Sequence, residues 1–97
     1  MSSETPDAPF DLDVVVVGGG GHVGLPLGVS FADTGARVAL YDINGPVVDL
    51  INGGQMPFHE RGAPEVLRRV RDAGTLVATT DQEVIARAEN VVVVIGT

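Results

Sequence analysis

Residues 14–27 read VVVVGGGGHVGLPL: four valines, four glycines and then the start of a helix-like run. An unbroken run of β-branched residues is typical of a strand that is covered on both faces, as in a parallel sheet. Glycines, in contrast, leave the main chain bare and lose more conformational freedom on folding than any other residue. This pairing predicts that another group comes very close to the backbone where the strand ends.

The rest of the chain continues the alternation of strands and helices. We predict strands at residues 12–17, 37–42, 75–79 and 90–96, and helices at residues 22–34, 44–53 and 64–74 and after Thr80. In the first helix, Val23, Leu27 and Phe31 form the expected apolar stripe. Thr80 and Glu83 match a capping box for the last helix. The expected fold is α/β: a Rossmann-type parallel sheet in the order 3-2-1-4, with helices on both faces, as part of a doubly wound fold.

Length and composition limit the possible functions. The 97 residues suffice for one domain, expected at residues 11–97 after a polar, mobile tail at residues 1–10. The net charge is −7 and lysine is absent, so a nucleic acid or an anionic membrane is a poor partner. No apolar run approaches the roughly 20 residues of a membrane span. The lack of cysteine excludes disulfides and thiolate chemistry within the chain and fits the expected cytoplasmic location.

The glycines have the spacing of a dinucleotide-binding fingerprint, GxGxxG, at Gly19, Gly21 and Gly24. In this motif the first glycine allows a tight turn, and the second lets a pyrophosphate approach the main chain. The third lets the helix lie close to the strand. The N–H groups at the start of the helix then face the phosphates, so an acidic protein can hold an anion without lysine. The alternative is that the three glycines only make a turn.

Asp42 ends the second predicted strand, 21 positions after Gly21. A ribose-binding acid is expected about 20 residues beyond the glycines. Its carboxylate can accept hydrogen bonds from both ribose hydroxyls and would repel a 2′-phosphate, and no arginine follows it in YDINGP. We therefore expect NAD rather than NADP. The alternative role for Asp42 is to cap the next helix, although Asn44 is better placed to do so.

Other polar residues have simpler interpretations. His22 and His59 have no matched partner ligands nearby in the sequence, so we interpret them as surface or loop histidines and predict no metal site. Arg68, Arg69 and Arg71 fall opposite the apolar positions of their helix, which indicates a solvated face.

Three segments together resemble a known family: VVVVGGGGHVGLPLGVSFADTGARVALYDIN, then NGGQMPFHERG, then VVVVIGT. They are similar to the amino-terminal domain of UDP-glucose/GDP-mannose dehydrogenases, which include UDP-N-acetylmannosamine dehydrogenases. The likeness runs from about Leu12 to Thr97. It implies NAD-dependent oxidation of the C6 alcohol of a nucleotide sugar to a carboxylate, in two hydride transfers.

The resemblance also implies which residues contact the cofactor. Asp42 would hold the adenosine ribose, Thr97 would lie beside the cofactor, and Glu60 matches a family glutamate whose role here is open. The complete candidate set for cofactor binding is Gly19, Gly20, Gly21, His22, Val23, Gly24, Asp42, Ile43, Asn44, Gly96 and Thr97.

Three positions depart from the family pattern. His22 stands where the family usually has an aromatic residue, and Val47 stands where it often has a basic one. Arg61 replaces a usual proline. The loss of the basic residue is expected to weaken binding of the adenosine part of the cofactor. The loss of proline is expected to make the loop around Arg61 less rigid.

The family's nucleophilic cysteine and catalytic lysine lie in later domains, and this chain contains neither residue type. The sequence stops at the fourth predicted strand, so we expect part of an oxidoreductase that contacts its nucleotide sugar through missing downstream domains. The unpaired edge of that strand is a possible site of homo-oligomer contact. The alternative is a stand-alone module that binds a dinucleotide or adenine nucleotide without catalysis.

Overall fold

The structure, a computed structural model, describes residues 10–95. Most of the expected tail, and the candidate site residues Gly96 and Thr97, lie outside the described residues. The described elements are, in order, β1 (Leu12–Val17), α1 (Gly24–Asp33), β2 (Val38–Tyr41), α2 (Gly45–Asn52), α3 (Ala63–Asp72), β3 (Leu76–Thr79), a 3₁₀ helix (Gln82–Arg87) and β4 (Ala88–Val93).

The four strands form one parallel sheet in the order β3-β2-β1-β4, which confirms the predicted Rossmann-type topology. Val15 of β1 pairs with Ala39 of β2 and with Val91 of β4, while Ala39 pairs with Val77 of β3. Paired residues of parallel strands lie on the same face of the sheet. The carboxyl ends of all four strands lie at the same end of the sheet, where the glycines follow β1.

The two faces of the sheet are covered unequally. Three helices cover the first face, with a buried core that includes Val14, Val16, Val38, Leu40, Leu25, Val29, Ile51 and Leu67. On the second face the 3₁₀ helix is the only helix of residues 10–95 that packs, and Val84 lies there against Val15 and Ala39. Val77, Val91 and Val93, on the same face, are 47%, 47% and 61% exposed. Helices thus lie on both faces, as predicted, but residues 10–95 leave most of the second face uncovered.

The buried face of α1 differs from the predicted one. The helix begins at Gly24 rather than at residue 22, and Val23 is 65% exposed instead of facing the core. The residues that α1 buries are Gly24, Leu25, Gly28, Val29 and Ala32. A Cβ at Gly28 would collide with the side chain of Leu40. Close glycine contact with the sheet therefore sets the face that α1 buries, and four-residue apolar spacing alone does not reveal it.

The last predicted helix is also different. It is a short 3₁₀ helix, and its cap is Asp81, which accepts a hydrogen bond from the N–H of Glu83 at 3.0 Å. The capping box assigned to Thr80 is therefore wrong. β4 begins at Ala88, two residues earlier than predicted, because the chain returns to the sheet after this tight turn.

One edge of the sheet is closed by a side chain. At the end of α2, the Asn52 amide donates to the carbonyl oxygen of Ala78 at 2.8 Å and accepts from the Ala78 N–H at 2.9 Å. This amide occupies the positions that a further strand would take beside β3. At the other edge, the N–H of Val94 donates to Val17. Successive residues of a strand direct their backbone N–H and C=O groups to opposite sides. Because those of Val94 point to β1, those of Val91 and Val93 point away from it.

Candidate functional site

The glycine turn is tied to the end of β2. The N–H groups of Gly18 and Gly19 both donate to the carbonyl oxygen of Tyr41, at 2.9 and 3.0 Å. Gly18 has a φ of 85°, a conformation that favours glycine, whereas Gly19 does not have a positive φ. Gly19 lies in the turn as the motif predicts, but the left-handed backbone conformation is at Gly18, which the motif does not include. Gly19 is needed for space instead, because a Cβ there would lie 2.6 Å from the Cβ of Leu40.

Packing also requires glycine at two further positions of the turn. A Cβ at Gly20 would lie 2.7 Å from Cγ1 of Val47 and 3.0 Å from Oδ2 of Asp42. A Cβ at Gly24 would collide with the carbonyl oxygen of Gly18. Gly24 thus lets α1 start directly against the turn, as the motif predicts. The fold alone explains glycine at these positions, so they do not by themselves indicate a ligand.

Gly21 differs from its neighbours. A Cβ there would meet only the carbonyl oxygen of Gly18, at the ordinary contact distance of 3.7 Å, and its φ is not positive. Neither packing nor backbone conformation therefore requires glycine at this position. The bare backbone borders a cavity of about 420 Å³ lined by Gly18, Gly21, His22, Val23, Gly24, Asp42 and Val94. The fold does not explain glycine at residue 21, whereas a ligand bound in this cavity would explain it.

The cavity also borders hydrogen-bond donors at the start of α1. The N-cap residue Val23 offers no side-chain acceptor. Among residues 10–95, no acceptor is found for the N–H groups of His22, Val23 and Gly24. Unpaired N–H groups and the dipole at a helix amino terminus favour a bound anion. The turn therefore fits a group with phosphate oxygens, as the diphosphate of a dinucleotide has.

Asp42 lies at the carboxyl end of β2 and is half-buried at the cavity. Its Oδ2 accepts from the N–H of Gly20 at 2.9 Å, and its Oδ1 accepts from the N–H of Asn44 at 3.0 Å. Each carboxylate oxygen has a further lone pair, so both can also accept a hydroxyl. Asn44 caps α2 by accepting from the N–H of Val47 at 3.2 Å, which confirms its predicted structural role. Asp42 is therefore not the cap of that helix.

Sequence reasoning missed two features of this site. The bond between Gly20 and Asp42 joins residues far apart in the chain, and no local pattern indicates it. The second feature is Phe58, in the α2–α3 loop (residues 53–62), whose ring stacks on His22 with centroids 4.1 Å apart and planes at 21°. His22 lies at the turn and is exposed. Ile43, beside Asp42, is also exposed, at 85%.

The α2–α3 loop borders a second cavity of about 540 Å³, which includes Phe58, His59, Glu60, Arg61 and Arg68. This cavity adjoins the glycine turn through the stacked pair of His22 and Phe58. The structure gives Glu60 no specific contact through its carboxylate among residues 10–95.

The arginines of α3 follow the predicted solvated face in part. Arg69 pairs with Asp33 of α1 at 2.7 Å, and Arg71 pairs with Asp72 at 2.8 Å. Arg71 also lies over Gly54, where a Cβ would be 2.5 Å from its guanidinium.

Residues 10–95 contain neither a candidate metal-binding group nor a helix suited to span a membrane. In that range no three histidine, aspartate or glutamate side chains are grouped so that they could hold a metal ion. In the same range, no helix combines the length and the apolar character needed to cross a bilayer.

Comparison with known proteins identifies the family. The model for the UDP-glucose/GDP-mannose dehydrogenase family, NAD binding domain, matches residues 13–97. UDP-glucose 6-dehydrogenase AglM of Haloferax volcanii is 39% identical over 67 residues, which are 69% of this chain and 15% of that protein. UDP-glucose 6-dehydrogenase YwqF of Bacillus subtilis is 33% identical over 84 residues, which are 86% of this chain and 19% of that protein.

Solved structures show the same relationship. GDP-mannose dehydrogenase from Pseudomonas aeruginosa, in a ternary complex, superposes with a TM-score of 0.83 at 28% identity, covering 89% of this chain and 20% of that one. UDP-glucose dehydrogenase from Pyrobaculum islandicum gives 0.82 at 30% identity, covering 96% and 22%. The chain thus spans between 15% and 22% of the length of these four proteins. It belongs to the UDP-glucose/GDP-mannose dehydrogenase family, as its NAD-binding domain, and its cofactor is NAD.

Proposed function

We propose that this chain is the NAD-binding portion of an enzyme that oxidises the C6 alcohol of a UDP-sugar to a carboxylate. The proposal rests chiefly on Gly21, whose bare backbone borders an open cavity although the fold does not require glycine there. The family match and the names of the relatives, two of which are UDP-glucose 6-dehydrogenases, supply the reaction.

The diphosphate and the adenosine half of the cofactor are each assigned residues of this chain. The diphosphate would lie on the N–H groups of His22, Val23 and Gly24, for which residues 10–95 provide no acceptor. The adenosine ribose would bind the Asp42 carboxylate, with Ile43 and Asn44 beside the adenosine. Gly19 and Gly20 shape the turn. Gly96 and Thr97 follow β4 and are proposed to lie beside the cofactor.

The negative charge of Asp42 favours NAD over NADP, because a 2′-phosphate placed at the ribose would be repelled. Val47 packs beside Gly20, at the position where a basic residue is usual in the family. It supplies apolar contact and no compensating charge. We therefore propose weak binding with a clear preference for NAD.

The oxidation of an alcohol to a carboxylate removes two hydrides and adds one water oxygen. NAD accepts the hydrides, so each sugar consumes two NAD molecules. The nucleophilic cysteine and catalytic lysine that the family uses are absent from these 97 residues. We propose that this chain supplies cofactor binding and that the reacting groups and the sugar contacts come from outside it. A cytoplasmic location stays a prediction.

Binding and catalysis can be tested separately. Titration calorimetry of the chain with NAD and with NADP should show NAD binding near the millimolar range, about −4 kcal/mol, and weaker NADP binding. Incubation with NAD and either UDP-glucose or UDP-N-acetylmannosamine should produce no NADH. Equal affinity for the two cofactors would contradict the role of Asp42. NADH formation by the purified chain would contradict the proposal that the reacting groups come from outside it.

The β4 edge is the proposed site of contact between copies of the chain. Asn52 closes the β3 edge, whereas Val91 and Val93 direct backbone groups outward at the β4 edge. Their side chains are also exposed. A second copy can pair there and cover apolar surface at the same time.

A further inference from the structure

The stacked pair of His22 and Phe58 connects the glycine turn to the α2–α3 loop. The ring centroids are 4.1 Å apart and the planes are inclined by 21°, so the contact is face to face. A surface histidine usually samples several rotamers. The contact with Phe58 holds this imidazole at the rim of the cavity that Gly21 and Gly24 border.

The distribution of charge makes His22 distinctive. The chain has six basic residues, all arginine. Four of them form ion pairs, namely Arg37 with Asp13, Arg69 with Asp33, Arg71 with Asp72 and Arg87 with Asp11. The other two, Arg61 and Arg68, line the neighbouring cavity. Of the residues in the described range, 10–95, that line the glycine cavity, only His22 and Asp42 can carry a charge, and only His22 can carry a positive one.

We propose that His22, held in place by Phe58, binds the NAD diphosphate through its protonated ring, so that cofactor affinity rises as the pH falls. This inference rests on the proposed function. A histidine side chain changes charge in the range between about pH 5 and pH 8, whereas the NAD diphosphate stays ionised there. The protonated ring adds an attraction and an N–H donor beside the backbone N–H groups of the turn.

Several charged groups surround the imidazole. Asp42, at the end of β2, lines the same cavity as His22. The α2–α3 loop that carries Phe58 also carries His59, Glu60 and Arg61, which are exposed and of mixed sign. Because His22 lines the glycine cavity itself, whereas His59, Glu60 and Arg61 line the neighbouring cavity, we expect the charge of His22 to dominate the pH response.

The test is calorimetric titration of the chain with NAD, and separately with adenosine, at about pH 6 and about pH 8. The parent should bind NAD about threefold to tenfold more tightly at the lower pH, and adenosine, which lacks the diphosphate, equally at both. His22→Tyr keeps an aromatic ring on Phe58 without this charge change and should remove the pH effect on NAD. His22→Gln provides a second variant without charge, in case the tyrosine disturbs the turn.

Phe58→Leu tests the positioning role. It keeps apolar bulk but not the flat ring, and it should reduce the difference in NAD affinity between the two pH values. NAD affinity in the parent that does not change with pH overturns this inference and leaves the proposed function intact. An undiminished pH effect in both His22 variants also overturns it. No NAD binding by the folded parent at either pH overturns the proposed function, and the inference with it.

Discussion

The backbone N–H of Gly20 donates to Oδ2 of Asp42 at 2.9 Å, although the two residues are 22 positions apart. This bond fixes the glycine turn to the end of β2. The other carboxylate oxygen accepts from the N–H of Asn44, at the start of α2. The carboxylate proposed to bind the ribose thus also organises the loops on either side of it, so its mutation has two effects that need separation.

We expect Asp42→Ala to lower stability by about 1–3 kcal/mol, because two backbone N–H groups lose their acceptor. It should also weaken NAD binding. Asp42→Asn keeps the volume and one acceptor oxygen and should lower stability less, while still losing the charge. Thermal unfolding and NAD calorimetry on both variants separate the two roles. If Asp42→Asn binds NAD as the parent does, the carboxylate serves the turn and not the ribose.

Gly21→Val is expected to abolish NAD binding and to leave the thermal midpoint nearly unchanged. The reason is that residue 21 borders the open cavity, and a Cβ there would meet only one atom of the described residues within 4 Å, the Gly18 oxygen at 3.7 Å. Gly24→Ala is the matched control, since its Cβ would collide with the Gly18 carbonyl. That variant should lose stability. A folded Gly21→Val variant with parental NAD affinity would remove the main support for the proposed site.

The sequence allowed the topology to be predicted because the topology depends on local patterns, and it placed the glycines and Asp42 close together, as the hydrogen-bonded Gly20 and Asp42 are in the structure. The valine runs predicted parallel strands, and the glycines with Asp42 predicted one edge of the sheet. The buried face of α1 could not be predicted from apolar spacing, because Gly28 sets it through close contact with Leu40. The stack of His22 on Phe58 depends on the path of a loop between two helices. Such contacts follow from tertiary packing, which no short pattern encodes.

Stability should fall in acid in part through two ion pairs. The Arg37 side chain lowers the pKa of Asp13 by hydrogen bonding, and the Arg37 backbone N–H adds to this. Arg87 likewise lowers the pKa of Asp11 through a side-chain hydrogen bond. A carboxyl whose pKa is lower in the folded state contributes stability above its unfolded value, about 4, and loses it as the pH falls through the folded value.

Comparison of the parent with Asp13→Asn across this range provides the measurement. At neutral pH the variant should have a thermal midpoint lower by at most a few degrees, because the pair is exposed. The difference should shrink as the pH falls from about 4 through the lowered pKa of the Asp13 carboxyl in the folded parent. A difference that stays constant with pH would show that the charge of Asp13 does not contribute.

Asn52→Ala should destabilise the fold by about 1–3 kcal/mol, because the buried Ala78 loses the partners of both its N–H and its carbonyl. Asn52→Asp retains an acceptor for the N–H but cannot donate to the carbonyl, so it should still be destabilised. Thermal unfolding of both variants gives the values. A midpoint equal to that of the parent for Asn52→Ala would mean that water replaces the amide without loss.

The closed β3 edge provides an internal control for self-association through β4. Val93 and Val77 are both valines on the second face of the sheet, 61% and 47% exposed, but only β3 has its edge occupied by Asn52. We expect Val93→Lys to reduce self-association measured by sedimentation at high protein concentration, and Val77→Lys to leave it close to the parent level. A lysine at an edge strand disfavours pairing with another strand.

Since each copy carries a net charge of −7, association of the parent should strengthen with added salt. Equal effects of the two lysines would indicate general apolar contact rather than pairing at the β4 edge, and a monomeric parent at all concentrations would exclude the contact altogether.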